Sequence, residues 1–140
     1  MERHQRCELL AGLPPAAARR LADRVLDGAL GEATLIVPPV VGMIMARAVD
    51  GARGERFNLA EVLVTEARVT LGGQEGWGLV MGRAPDHAVA VAVLDAGLAA
   101  GHPAGGAIER ELDTLAGEHA AHLAREWARL APTRVDFDNF

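Results

Sequence analysis

AEVLVTEARVTLGGQEGWGLVMGRAPDHAVAVAVLDAGL, residues 60–98, is the stretch that decides the fold. Its opening half alternates, with Leu63, Thr65, Ala67, Val69 and Leu71 on one side of an extended chain and Val62, Val64, Glu66, Arg68 and Thr70 on the other. Later in that run apolar residues oppose charged ones at period two, which is the signature of a half-buried strand. Gly72, Gly73 and Gly76 close a hairpin, after which Trp77, Leu79 and Met81 alternate with Gly78, Val80 and Gly82. A strand face made almost bare by glycine either packs closely on another backbone or leaves room for a ligand or partner. Pro85 and Asp86 then suit a first helical turn, and residues 88–98 are rich in helix formers. Every position of AVAVAV is apolar, so a buried helix is the preferred reading over an amphipathic strand.

Outward from this hairpin and helix, the pattern stays strand-like back to residue 33. One strand is expected over residues 33–37, ending at Pro38 and Pro39, and another over 41–49, before a turn at Asp50, Gly51 and Gly54. With the long strand at 57–71 and the one after Gly76, the count is about four. Before residue 30, Leu21, Ala22 and Val25 recur at helical spacing after Pro14 and Pro15, predicting two short helices. After a break at His102, Pro103, Gly105 and Gly106, a long amphipathic helix carries Ile108, Leu112, Leu115, Leu123, Trp127 and Leu130 on its core stripe. The fold class is therefore α+β: an antiparallel sheet flanked by N-terminal helices and two C-terminal helices, in one domain over 1–140.

Composition narrows the chemistry. The 140 residues include 14 basic and 19 acidic side chains, a formal charge of −5, which argues against a nucleic-acid surface. All the basic residues are arginine, so lysine nucleophiles and Schiff bases are excluded. Serine is absent, no Walker or GxGxxG loop occurs, and Cys7 stands alone, which excludes serine nucleophiles, an internal disulfide and a self-contained iron–sulfur cluster. No apolar h-region opens the chain, and residues 88–94 fall far short of the ~20 residues of a membrane helix. A soluble, cytoplasmic protein with no membrane or nucleic-acid partner is expected.

The sharpest local arrangement is Gly82-Arg83-Ala84-Pro85-Asp86-His87, where strand passes to helix. Helix N-terminal amides attract anions, and a guanidinium grips two oxygens of a phosphate or carboxylate; the plain alternative is a connection with Arg83 in solvent or paired to Asp86. His87 shares a face with Val91, Leu94 and Leu98, as a core-edge histidine does. Asp95 interrupts an apolar helix, where an unpaired carboxylate is costly, so it needs a partner, and in a chain whose basic residues are all arginine the expected partner is an arginine. Glu66 and Arg68 suit cross-strand ion pairs. His119, His122 and Glu126 share one helix without forming HExxH, and no metal is assigned to them. These residues also suit a free-standing homodimeric binding protein for an anionic metabolite at residues 82–87.

Taken together, GERF at 54–57, AEVLVTEARVTL at 60–71, the 76–83 strand ending in Gly-Arg, His87-Ala88, Leu94-Asp95-Ala96 and TRVDF at 133–137 resemble the PhnG family of the bacterial carbon–phosphorus lyase machinery. Ala60 departs from the glycine of the family strand. The resemblance implies a subunit working with PhnH-, PhnI- and PhnJ-like proteins and PhnL- or PhnK-like nucleotide-binding proteins in phosphonate catabolism. The activity it implies is replacement of adenine on ATP by an alkylphosphonate. ATP and phosphonate are then substrates of the complex, and this chain carries no cofactor. It also implies that Arg56, Arg68, Arg83, His87, Asp95, Arg134 and Asp136 are its anion-binding or interface candidates, with no catalytic group assigned.

Overall fold

The computed structural model describes residues 1–133. Two helices, α1 (Arg3–Ala11) and α2 (Pro15–Val25), precede three strands, β1 (Thr34–Val49), β2 (Arg56–Leu71) and β3 (Gln74–Met81). Two more helices, α3 (Pro85–Ala99) and α4 (Gly105–Leu130), follow, and a short 3-10 turn closes the series. The strands form one antiparallel sheet in the order β1-β2-β3.

Three strands replace the expected four, because residues 33–37 and 41–49 belong to a single strand, β1. Pro38 and Pro39 do not end it: β1 lies at the sheet edge, where a residue without an N–H costs no ladder bond if it faces outward. The register slips just before them, between Leu35 and Val37, and across them, between Val37 and Val40, as bulges absorb the prolines, and once more between Ala46 and Arg47.

α3 is the buried helix expected. It lies on the sheet, and residues 90–97 along it are all buried. The glycines of β3 explain how it comes so close: a Cβ at Gly76 would overlap the Ala92 carbonyl, and one at Gly78 the Ala88 carbonyl. The bare strand face is a seat for a backbone. α2 crosses α3 on the far side, burying Ala18, Leu21, Ala22 and Val25, and Val25 fills the space that a side chain at Gly97 would need. Gly72 and Gly73, at φ +58 and +75, make the two-residue β2–β3 turn.

Two parts reach beyond this core. β3 pairs only with residues 64–71 of β2, so residues 43–63 project as a two-stranded arm, about 27 Å long at ~3.4 Å per residue. α4 buries Ile108 and Leu112 and packs Leu115 partly against the core, but Leu123, Trp127 and Leu130 are 44%, 73% and 51% exposed. The long stripe read on this helix is thus a core stripe only in its first half, since the second half extends past the elements that would cover it.

Candidate functional site

The junction of β3 and α3 is held from beneath by Thr65. Its fully buried hydroxyl donates to the Gly82 carbonyl (2.6 Å) and accepts from the Ala84 N–H (3.0 Å), while the Gly82 N–H donates to Leu63 O (2.8 Å). Gly82 takes φ +82, a conformation that a side chain disfavours. Between these anchors Arg83 is exposed, and no acid stands within ion-pair distance of it among the described residues. No side chain caps α3, whose first turn contains Pro85 and Asp86. The Asp86 carboxylate moderates the positive potential there, so the junction suits a site completed by another molecule. Thr65 was legible only as one more residue on the inner face of β2; a hydroxyl among apolar neighbours was the available signal.

His87, one turn in, is half-buried, with its Nε2 enclosed and unpartnered. Burial pushes its pKa below the ordinary 6.5 and so favours the neutral imidazole, an effect partly offset by the Leu13 backbone. It is a core-edge histidine.

Asp95 has the arginine partner that its position demanded, and a second one. Its Oδ1 accepts from Arg6 Nε and pairs with Arg6 Nη2, both at 2.9 Å, and its Oδ2 meets Arg3 Nη2 at 3.2 Å. The same Oδ2 accepts the Trp77 backbone N–H at 3.1 Å, an edge group of β3. This fully buried carboxylate thus joins α1, α3 and β3, and it is used up inside the fold. Cys7 lies beside it, and burial first, then the Asp95 charge, raises its thiol pKa, so the cysteine is a poor nucleophile.

The remaining candidates do not converge. Arg68 pairs across the strands with Glu75 at 2.7 Å, while Glu66 accepts from the Trp77 indole at 2.9 Å. Arg56 lies at the far end of the arm, twelve residues from Arg68 on the same strand and so roughly 40 Å away. Arg134 and Asp136 lie outside the described residues. Among the described residues no group of three or more His, Cys, Asp or Glu side chains could hold a metal. Glu126 instead pairs with Arg129 (3.0 Å).

Two further contacts are structural. His102 is buried and its Nδ1 accepts from the Ala104 N–H (3.0 Å), which leaves Nε2 to donate to Asp27 (3.0 Å). Arg20 and Arg24 both grip Glu111, at 2.6 and 2.8 Å, tying α2 to α4. An apolar groove of about 470 Å³ runs between α1 and α4, lined by Leu9, Leu13, Leu112, Leu115 and Leu123, with His119 and two glutamates as its titratable groups. None of its lining residues pairs a nucleophile with a base.

These features define a small α+β protein that, among the described residues, displays arginines and uncovered strand surface instead of a closed catalytic pocket. The chain belongs to the PhnG family: the family model described as phosphonate metabolism protein PhnG matches residues 1–140. It is also similar to the alpha-D-ribose 1-methylphosphonate 5-triphosphate synthase subunit PhnG of Rhizobium meliloti (strain 1021), at 35% identity over 101 residues. That match covers 71% of this chain and 64% of the relative, so the chain spans just under two thirds of the relative's length. No described helix is long and apolar enough to cross a membrane.

Proposed function

We propose that this chain is one subunit of an assembly that joins an alkylphosphonate to the ribose of ATP, displacing adenine. With methylphosphonate, a phosphonate oxygen bonds to the ribose anomeric carbon as the bond from that carbon to adenine breaks, giving ribose 1-methylphosphonate 5-triphosphate. The observation that carries the reading is the uncovered arm in a chain of this family: its surface is built to be shared. The relative's name, a subunit of such a synthase, supports it. The partners are PhnH-, PhnI- and PhnJ-like proteins with PhnL- or PhnK-like nucleotide-binding proteins in the cytoplasm, and any cofactor of the pathway belongs to them. This chain shapes and steadies their active site.

Within that assembly Arg83 is the residue best placed to touch substrate. A phosphonate and a triphosphate bring several negative oxygens into one site, and a preorganised guanidinium stabilises the charge as bonds change. Arg68, already paired, and Arg56, on the distant arm, serve contacts between subunits.

The test is reconstitution with and without this chain. Adenine release from ATP, dependent on methylphosphonate, is expected only when the chain is present. Equal release in its absence would refute the proposal.

A further inference from the structure

The sheet has two edges, and the fold treats them differently. On the β3 edge, the Trp77 N–H goes to the Asp95 carboxylate and the Glu75 carbonyl receives Arg3, both supplied from within the chain. On the β1 edge nothing comparable occurs among the described residues: β1 pairs with β2 and touches α3 sparsely. An uncovered edge strand offers a row of unpaired N–H and C=O groups, and proteins normally blunt such edges with proline, bulges or charge. Here Pro38, Pro39 and two register slips blunt the first part of β1, whereas residues 40–49 contain no proline, one charge, Arg47, and a single slip at Ala46/Arg47 that leaves residues 40–46 in unbroken register with β2.

Resting on the subunit reading, we infer that residues 40–49 of β1 accept an added strand from a partner subunit of different sequence, an extended apolar segment whose chain also encloses both faces of the arm. The side chains support this occupant. Met43, Ile44 and Met45 follow one another, so they point alternately to opposite faces, and all are about half exposed (58%, 46% and 45%). With Val40, Val49, Phe57 and Leu59 they leave roughly 700 Å² open, divided between the two faces, so only a partner that encloses both approaches the ~800 Å² per partner of a standard interface. A second copy brings the same flat ribbon, which pairs along one edge and leaves both faces wet. The arm's charges also balance, Arg47, Arg53 and Arg56 against Asp50, Glu55 and Glu61, so they form a polar rim instead of selecting a charged partner.

Hydrogen exchange, read amide by amide on the free chain and on the coexpressed complex, tests this. Alternate amides of residues 40–49 should slow at least tenfold on assembly, and Met43→Asp and Ile44→Asp, on opposite faces, should each weaken assembly at least tenfold while the free chain keeps its melting temperature. If the complex forms with those amides unchanged, or if only one of the two variants weakens it, strand addition with enclosure is wrong while the subunit reading stands. If the wild-type chain joins no complex, the subunit reading fails and takes this inference with it. Protection that grows with concentration of the free chain alone would make the occupant a second copy and overturn the inference.

Discussion

Asp95→Ala would test the keystone of the fold. The substitution removes the acceptor of three donors, and their burial decides what each loses. Arg3 is 62% exposed on its side chain and returns to water at almost no cost. Arg6 is 10% exposed, so its guanidinium would be left enclosed without a counter-charge, and breaking a buried pair in this way costs about 3–5 kcal/mol. The Trp77 N–H loses its partner too. Against a total stability of ~5–15 kcal/mol this is severe, and it corresponds to a fall of roughly 10–15 °C in Tm. Urea and thermal unfolding followed by circular dichroism would measure it. A second arm of the experiment is Arg6→Met combined with Asp95→Asn, which removes charge from both sides and should recover at least half of the loss. A cost below about 1 kcal/mol for Asp95→Ala, or a double variant worse than either single one, would refute the reasoning.

Arg83→Ala should leave unfolding unchanged within about 0.5 kcal/mol while lowering adenine release by the assembled complex about tenfold, the loss of ~1.4 kcal/mol for one charge-assisted contact, and Arg83→Lys should recover only part of it. Gly76→Ala forces a Cβ into the α3 backbone and should cost about 1–3 kcal/mol in urea unfolding, whereas Gly117→Ala, with nothing within 4 Å, should gain about 0.5–1 kcal/mol. His87 should titrate below 6.5 by NMR. Because its folded pKa is the lower one, the unfolded chain binds the proton first; the stability His87 contributes is complete above 6.5 and is lost as pH falls from there towards the lowered value, a loss that His87→Gln should abolish.

Much of this was legible in the sequence where a pattern has a single physical outcome. Alternation along residues 62–71 and the paired turn glycines lead to one arrangement, whereas the bare face of β3 left backbone packing and a ligand site both open, and the all-apolar α3 was a helix preferred over a strand. Asp95 announced an arginine partner by its burial, but not which one, because Arg6 lies 89 positions away in sequence. The division of β1 into two strands came from reading Pro38 and Pro39 as terminators, and whether proline ends a strand depends on its being central or at an edge, a tertiary fact. The apolar stripe of α4 specified a helix without specifying what covers Leu123, Trp127 and Leu130. At the site, Gly82-Arg83 was visible as a strand end, whereas the buried Thr65 that fixes it showed only as a hydroxyl among apolar neighbours, which does not tell what it bonds across the hairpin.

The central claim is that this chain works as part of a larger assembly, and native mass measurement after coexpression with the sister phosphonate subunits tests it most directly. The account predicts a stable complex containing this chain at whole-number stoichiometry, with methylphosphonate-dependent adenine release confined to it. A monodisperse monomer, beside a complex that forms and releases adenine without it, would contradict the account.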